Sequence, residues 1–202
     1  MFKRTVLLTL VSVLMVSISA CGGGETTQQA SQPAEPAPPP KPPEPPPTIY
    51  ELTKDDDITT HPDWTSRNIS VLGLKLGDRT RDVEKNLGAV DNTRTLPEDY
   101  LTIHQDNGLF VYTFKITGRA RKIEVTDVFA NKIADARLKR LLTTGNLNTM
   151  RELFGMEEAV RENAEDNSTE YAYDSRGFSL VKFKVGNATV NALRFSELKR
   201  TT

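Results

Sequence analysis

Gly77-Asp78-Arg79-Thr80-Arg81-Asp82-Val83-Glu84-Lys85-Asn86-Leu87-Gly88 is the stretch on which the expected fold turns. A glycine opens it, a glycine closes it, and Val83 and Leu87 stand four apart, the spacing of one helical face. Asp78 or Thr80 can cap the amino end, and Gly88 can take the left-handed conformation that ends a helix. Arg79, Arg81, Glu84 and Lys85 then point mostly outward. A weaker copy runs from Gly145 through Met150 and Phe154 to Gly155.

Each copy leads into alternating apolar residues, the period-two pattern of strands. After the first come Tyr100 to His104, Leu109 to Ile116 and Lys122 to Val128, separated by a turn ending in Asn107-Gly108 and by Thr117-Gly118-Arg119. After the second come Tyr171 to Asp174, Phe178 to Val185 and Val190 to Phe195, with turns at Ser175-Arg176-Gly177 and Gly186-Asn187. Turns this short join antiparallel neighbours. Lys132 to Leu142 carries Ile133, Leu138, Leu141 and Leu142 at near-helical spacing and reads as a connecting helix. The expected class is therefore α+β, a tandem repeat of a helix followed by a three-stranded antiparallel meander. Residues 71–130 form the first unit, residues 131–202 hold the connecting helix and the second, and the two pack as one domain. Aligning Gly108 on Gly177 sets Tyr112, Phe114 and Ile116 over Val181, Phe183 and Val185 on a shared core face, with Ile123 and Val125 over Leu193 and Phe195.

The amino terminus states a destination. Lys3 and Arg4 precede an apolar run from Val6 to Ile18, too short to span a bilayer comfortably, and Ser19-Ala20 are small residues ahead of Cys21. Residues 1–20 read as a signal peptide. Residues 21–48 read as a tether: ten of the twelve prolines lie there, and almost no side chain could join a core. Pro33 to Pro47 should run as polyproline II, a spacer on the order of 45 Å. Residues 49–70 form a polar lead-in, in which Asp55-Asp56-Asp57 lacks the alternating ligands and glycine of a calcium loop.

The run Ile18-Ser19-Ala20-Cys21 resembles the lipobox of bacterial lipoproteins, which implies cleavage before Cys21 and an acylated, palmitate-bearing cysteine anchored in the membrane. With Gly22 next, the resemblance implies the outer membrane, the folded part facing the periplasm. The pattern Gly-(five residues)-Val-(three residues)-Leu-Gly followed by a meander resembles small outer-membrane lipoproteins of the SmpA/OmlA/BamE type and their double-length relatives of the β-lactamase inhibitor protein fold. The likeness covers Leu72 to Val128 and again Leu141 to Phe195. Arg79 stands where that family places a small capping hydroxyl, and the second copy lacks one residue, so a particular partner does not transfer.

Chemistry has little to work with. His61 and His104 are the sole histidines, Cys21 is the sole cysteine, and no nucleophile elbow, phosphate loop or zinc spacing occurs. No catalytic residue, cofactor or metal is expected, and the formal net charge of −1 gives no ground for a nucleic-acid partner. Binding is the leading expectation. Leu109, Val111, Phe178 and Leu180 lie opposite the assigned core face and would form an apolar patch rimmed by Lys115 and Lys182, unless the helices cover it. An envelope protein partner involved in outer-membrane assembly or integrity fits such a patch. A cell-wall or small-ligand site in a groove lined by Tyr100, Tyr171 and Tyr173, and inhibition of a periplasmic enzyme, are the alternatives.

Overall fold

The computed structural model describes residues 46–198 apart from Ala89. Cys21, the signal segment and most of the tether therefore lie outside the described residues. The chain enters through β1 (Tyr50–Glu51), which pairs in parallel with β2 (Ile69–Val71), which pairs antiparallel with β3 (Leu74–Lys75). Leu72 and Gly73 turn the chain between β2 and β3 with φ of 53° and 78°. A leucine in that region is strained. The Glu51 carboxylate holds the turn by accepting the N–H groups of Leu72 at 2.9 Å and Gly73 at 3.0 Å. Burial raises the Glu51 pKa, but hydrogen bonds from Ser70 and Gly73 outweigh it and leave the group below its usual range.

The lead-in is far from a bystander. Tyr50, Leu52, Ile58, Trp64 and Ile69 are all buried in the core, supplied by a segment that reads as polar.

Helix α1 (Thr80–Leu87) follows and buries Val83, while Asp82 reaches back to accept the Arg79 N–H at 3.2 Å. Then come β4 (Asn92–Thr95), β5 (Asp99–His104), β6 (Leu109–Phe114) and β7 (Arg119–Thr126). A 3-10 segment, Asp127–Lys132, leads to α2 (Ala136–Thr144) and α3 (Leu147–Phe154). Asp135 caps α2, accepting from Arg137 N and Leu138 N, and also accepts Thr59 N at 2.9 Å, tying the lead-in to the helix. Gly145 ends α2 at φ 59° and Asn146 caps α3. The chain closes with β8 (Ala159–Asn163), β9 (Ser168–Tyr173), β10 (Phe178–Val185) and β11 (Ala188–Ser196).

These strands make one antiparallel sheet of eight in the order β4-β5-β6-β7-β11-β10-β9-β8. The expected α+β tandem of a helix with a three-stranded meander is therefore overturned. The molecule is mostly β, an eight-stranded sheet beside a three-stranded one, with short helices. Two physical reasons account for the error. The outer strands β4, Asn-Thr-Arg-Thr, and β8, Ala-Val-Arg-Glu-Asn, lack the apolar alternation that marks a half-buried strand. And β7 pairs directly with β11, Ile123 opposite Phe195 and Val125 opposite Leu193, so the strands fuse into one sheet instead of packing as two.

The core side of that sheet is also the reverse of the expected one. Leu109, Val111, Phe178 and Leu180 are at most 2 % exposed and meet Val83, Leu138, Leu141, Leu142 and Met150 from the helices. A bulge in β7 makes the difference on the first half. The turn sets Phe114 opposite Arg119, but Arg121 is skipped, so Lys122 faces Tyr112 and Ile123 faces Val111. One extra residue moves every later side chain to the other face of the partner strand. On the second half the tight turn pairs Val185 with Ala188, which places Leu193 beside Leu180 and Phe195 beside Phe178. Around Phe178 the core is aromatic: Trp64, Phe154, Tyr173 and Phe195 surround it with ring centroids 5.2–6.2 Å away.

Candidate functional site: the open face of the sheet

An antiparallel sheet commonly covers one face and leaves the other to solvent with polar side chains. Here the uncovered face is largely apolar. Leu101 and Ile103 of β5, Phe110, Tyr112 and Phe114 of β6, Val181 and Phe183 of β10 and Val190 of β11 all point to it by strand parity. None of these belongs to the helix-side core cluster. Arg94 from β4 and Asp166 from the β8–β9 turn join them around a groove of about 430 Å³, whose walls include Leu101, Ile103, Phe110, Tyr112 and Phe183. Both edge hairpins thus reach the same groove.

Through the middle of the face runs a chain of charges. Glu124 accepts Arg194 Nε at 2.6 Å and the Tyr112 hydroxyl at 3.1 Å, with Lys122 Nζ at 3.7 Å. Arg194 also donates to Glu170 at 3.1 Å, which accepts Ser179 Oγ at 2.8 Å and lies 3.6 Å from Arg161. Arg161 in turn pairs with Asp174. Lys122 Nζ stands 3.6 Å from the centre of the Tyr112 ring. Three cations meet three carboxylates, so the floor is electrically balanced.

The titrations follow from that arrangement. Burial pushes the Tyr112 hydroxyl well above its usual range, and the Glu124 charge adds to it. Burial also lowers Lys122, against the pull of Glu124. Burial opposes charge on Arg194 as well, but Glu124 and Glu170 outweigh it and the guanidinium is held more firmly protonated. Glu170 is lowered because Arg194 and Ser179 outweigh its burial.

The residues expected to bind a partner go elsewhere. Leu109, Val111, Phe178 and Leu180 are in the core, so they cannot form a surface patch. Lys115 is half-buried and donates to Pro97 O at 3.2 Å and to Leu96 O, while Lys182 sits 6.0 Å from the Tyr171 ring on the helix side. Tyr100 stands apart from Tyr171 and Tyr173: it is exposed and outside the core cluster that holds Tyr173 and packs against Tyr171. Tyr173 is buried and donates to Gly155 O at 2.6 Å. Among the described residues no three His, Cys, Asp or Glu side chains gather as a metal site, and no helix is long and apolar enough to cross a membrane. One signal for the true face is present in the sequence. Glu124 and Arg194 each sit between two core residues, Ile123 and Val125 in one strand, Leu193 and Phe195 in the other, and so mark the opposite side.

No family model matches the chain, and neither does any curated protein. One solved structure similar to it is that of a DUF4309 family protein (YjgB) from Bacillus subtilis subsp. subtilis strain 168, with a TM-score of 0.43 and 14 % identity, covering 62 % of this chain and 83 % of that one.

Proposed function

We propose that this protein is a lipid-anchored bacterial envelope protein whose folded part binds another protein on the open face of its eight-stranded sheet. The single observation that carries this is the apolar groove between Arg94 and Asp166, walled by Phe110, Tyr112 and Phe183 on a face that no helix among the described residues covers. A groove of half-buried aromatic side chains, with Leu101 and Ile103 buried behind them and charges at its edges, has the composition of a protein contact. The balanced floor, Arg194, Lys122 and Arg161 against Glu124, Glu170 and Asp174, leaves recognition to the apolar walls and the two charged lips. Anchoring rests on the lipobox-like Ile18-Ser19-Ala20-Cys21 and the proline-rich spacer, which would hold this face away from the bilayer.

The test replaces Phe110 by a photo-crosslinking phenylalanine analogue in the membrane-bound protein. A stoichiometric crosslinked partner, lost when Phe183→Asp is added while the protein still melts in one cooperative transition, is the expected result. Crosslinking to lipid alone, or a product unaffected by Phe183→Asp, would overturn the proposal. If the captured partner is an enzyme, its activity with and without this protein decides whether the contact inhibits it.

A further inference from the structure

An eight-stranded sheet that does not close has two free edges, β4 and β8, and they differ in chemistry. Strand β4 is Asn-Thr-Arg-Thr, polar throughout. Strand β8 presents Val160 at 53 % exposure, and Met156, just ahead of it, is 70 % exposed. It runs in unbroken register with β9 for five residue pairs and holds no proline, glycine, lysine or bulge. Those are among the devices that keep an edge from accepting another strand; the charges β8 does carry are Arg161, already paired with Asp174 and Glu170, and Glu162. Nothing among the described residues pairs with its outer side.

The charges around β8 are mostly acidic. Glu152, Glu158, Glu162 and Glu165 are all exposed, Glu158 also accepting from Ser175, whereas Arg151 is engaged with Glu157 and Arg161 with Asp174 and Glu170; Lys184, exposed, borders the same hollow as Glu162. Glu162 lies on the same face of the strand as Val160, two residues on, and Glu158 stands at the strand's entry.

We infer that the outer edge of β8 accepts an extended, basic segment of another protein chain as a ninth, antiparallel strand. Main-chain hydrogen bonds would hold it, and side chains on the Val160 face would select it. The residue set opposite Val160 should be apolar. Those two positions to either side should be cationic, to meet Glu162 and Glu158. The recognised pattern is thus basic, any, apolar, any, basic.

A second copy of this chain does not meet that pattern. Faces match across a two-fold pairing of β8 with itself whichever residue lies on the axis. Val160 against Val160 sets Glu158 of one copy beside Glu162 of the other, Arg161 against Arg161 sets like charges together and Val160 against Glu162, and Glu162 against Glu162 again sets like charges together. The chain's own proline-rich tether does not fit either, because proline has no N–H to give a ladder. The same glutamates that attract a basic strand therefore repel self-association. This edge is a surface separate from the groove, and its test is independent of the partner proposed there.

The probe is a blocked heptapeptide, Thr-Lys-Thr-Val-Thr-Lys-Thr, titrated into the full chain, with Thr-Glu-Thr-Val-Thr-Glu-Thr as control. The lysine peptide should slow amide hydrogen exchange within residues 159–163 and shift their resonances, and the glutamate peptide should do neither. Glu162→Lys should weaken binding about fivefold, and Val160→Asp should weaken it further, both without a change in melting temperature because both positions are exposed. Equal binding of the two peptides, unchanged exchange in residues 159–163, or shifts confined to the groove residues Phe110 and Phe183 would each overturn the inference.

Discussion

Glu124 and Arg194 stand directly opposite each other across the seam where β7 meets β11, joined by a 2.6 Å bond from Nε to the carboxylate. Their side chains are 4 % and 15 % exposed, so each neutralises a charge that water barely reaches. Removing one partner should cost far more than removing both. Arg194→Met is expected to lose about 3–5 kcal/mol in urea unfolding, because Glu124 and Glu170 lose the guanidinium hydrogen-bonded to both and keep only the longer contacts to Lys122 and Arg161. The double variant Glu124→Gln/Arg194→Met should recover most of that loss. Additive losses would show that the pair is energetically idle.

The helix-covered position of Phe178 and the groove position of Phe183 give opposite outcomes for the same substitution. Phe178→Ala should destabilise the protein by about 3–5 kcal/mol, since it empties the centre of the aromatic cluster. Phe183→Ala, half-buried on the open face, should cost about 1–2 kcal/mol. Thermal melts of the two variants settle which face is core.

Gly177 and Gly186 both have positive φ, 64° and 60°, but only one is crowded. A Cβ at Gly177 would lie 2.2 Å from Ser66 Oγ and 2.4 Å from Ser196 O, whereas Gly186 has open space. Gly186→Ala should therefore cost only the left-handed backbone penalty of about 1–2 kcal/mol. Gly177→Ala should exceed it by at least about 2 kcal/mol, because the lead-in must move off β11. Equal urea midpoints for the two would show that the Ser66 contact gives way freely.

Acid should weaken the fold partly through Glu157. Two hydrogen bonds from Arg151, 2.9 Å and 2.6 Å, hold its carboxyl down to about 2, from an ordinary value of 4.5. A lowered pKa means stability that is fully present above the ordinary value and drains away as pH falls from about 4.5 to about 2. Glu157→Gln should be less stable than the wild type near neutrality. The difference should shrink through that window and vanish below it, as read from urea midpoints at several pH values. A pH-independent difference would rule out the carboxylate as its source.

The sequence made some of this fold legible and concealed the rest for identifiable reasons. The glycine-bounded stretch with Val83 and Leu87 does form a helix, and Phe178 to Val185 is a strand with the bounds its alternation indicates. Turn glycines such as Gly108, Gly118 and Gly177 mark strand ends because each needs positive φ. What period and turn chemistry do not carry is register between strands. The bulge at Arg121 is stabilised by Asp99 and Glu98, contacts invisible in a local window, and it reverses which face of β6 is core. Edge strands escape for a related reason: with one neighbour and little burial, Asn92–Thr95 and Ala159–Asn163 need no apolar pattern. The candidate site was hidden by the same inversion. Tyr112 and Phe183 read as interior while they line the open groove, and Leu109 and Phe178, a patch only if no helix covers them, are covered and buried.

The place of β11 at the middle of the sheet has a consequence for how the molecule comes into being. It is the last strand of the described chain, yet it separates β7 from β10, and its Ser196 carbonyl accepts the Ser66 hydroxyl of the lead-in. Until it arrives, β4 to β7 and β8 to β10 are two unjoined ribbons with raw inner edges. A chain emerging from amino to carboxyl end therefore cannot lock early. The strands from β4 to β10 remain pliable until β11, the keystone, is delivered.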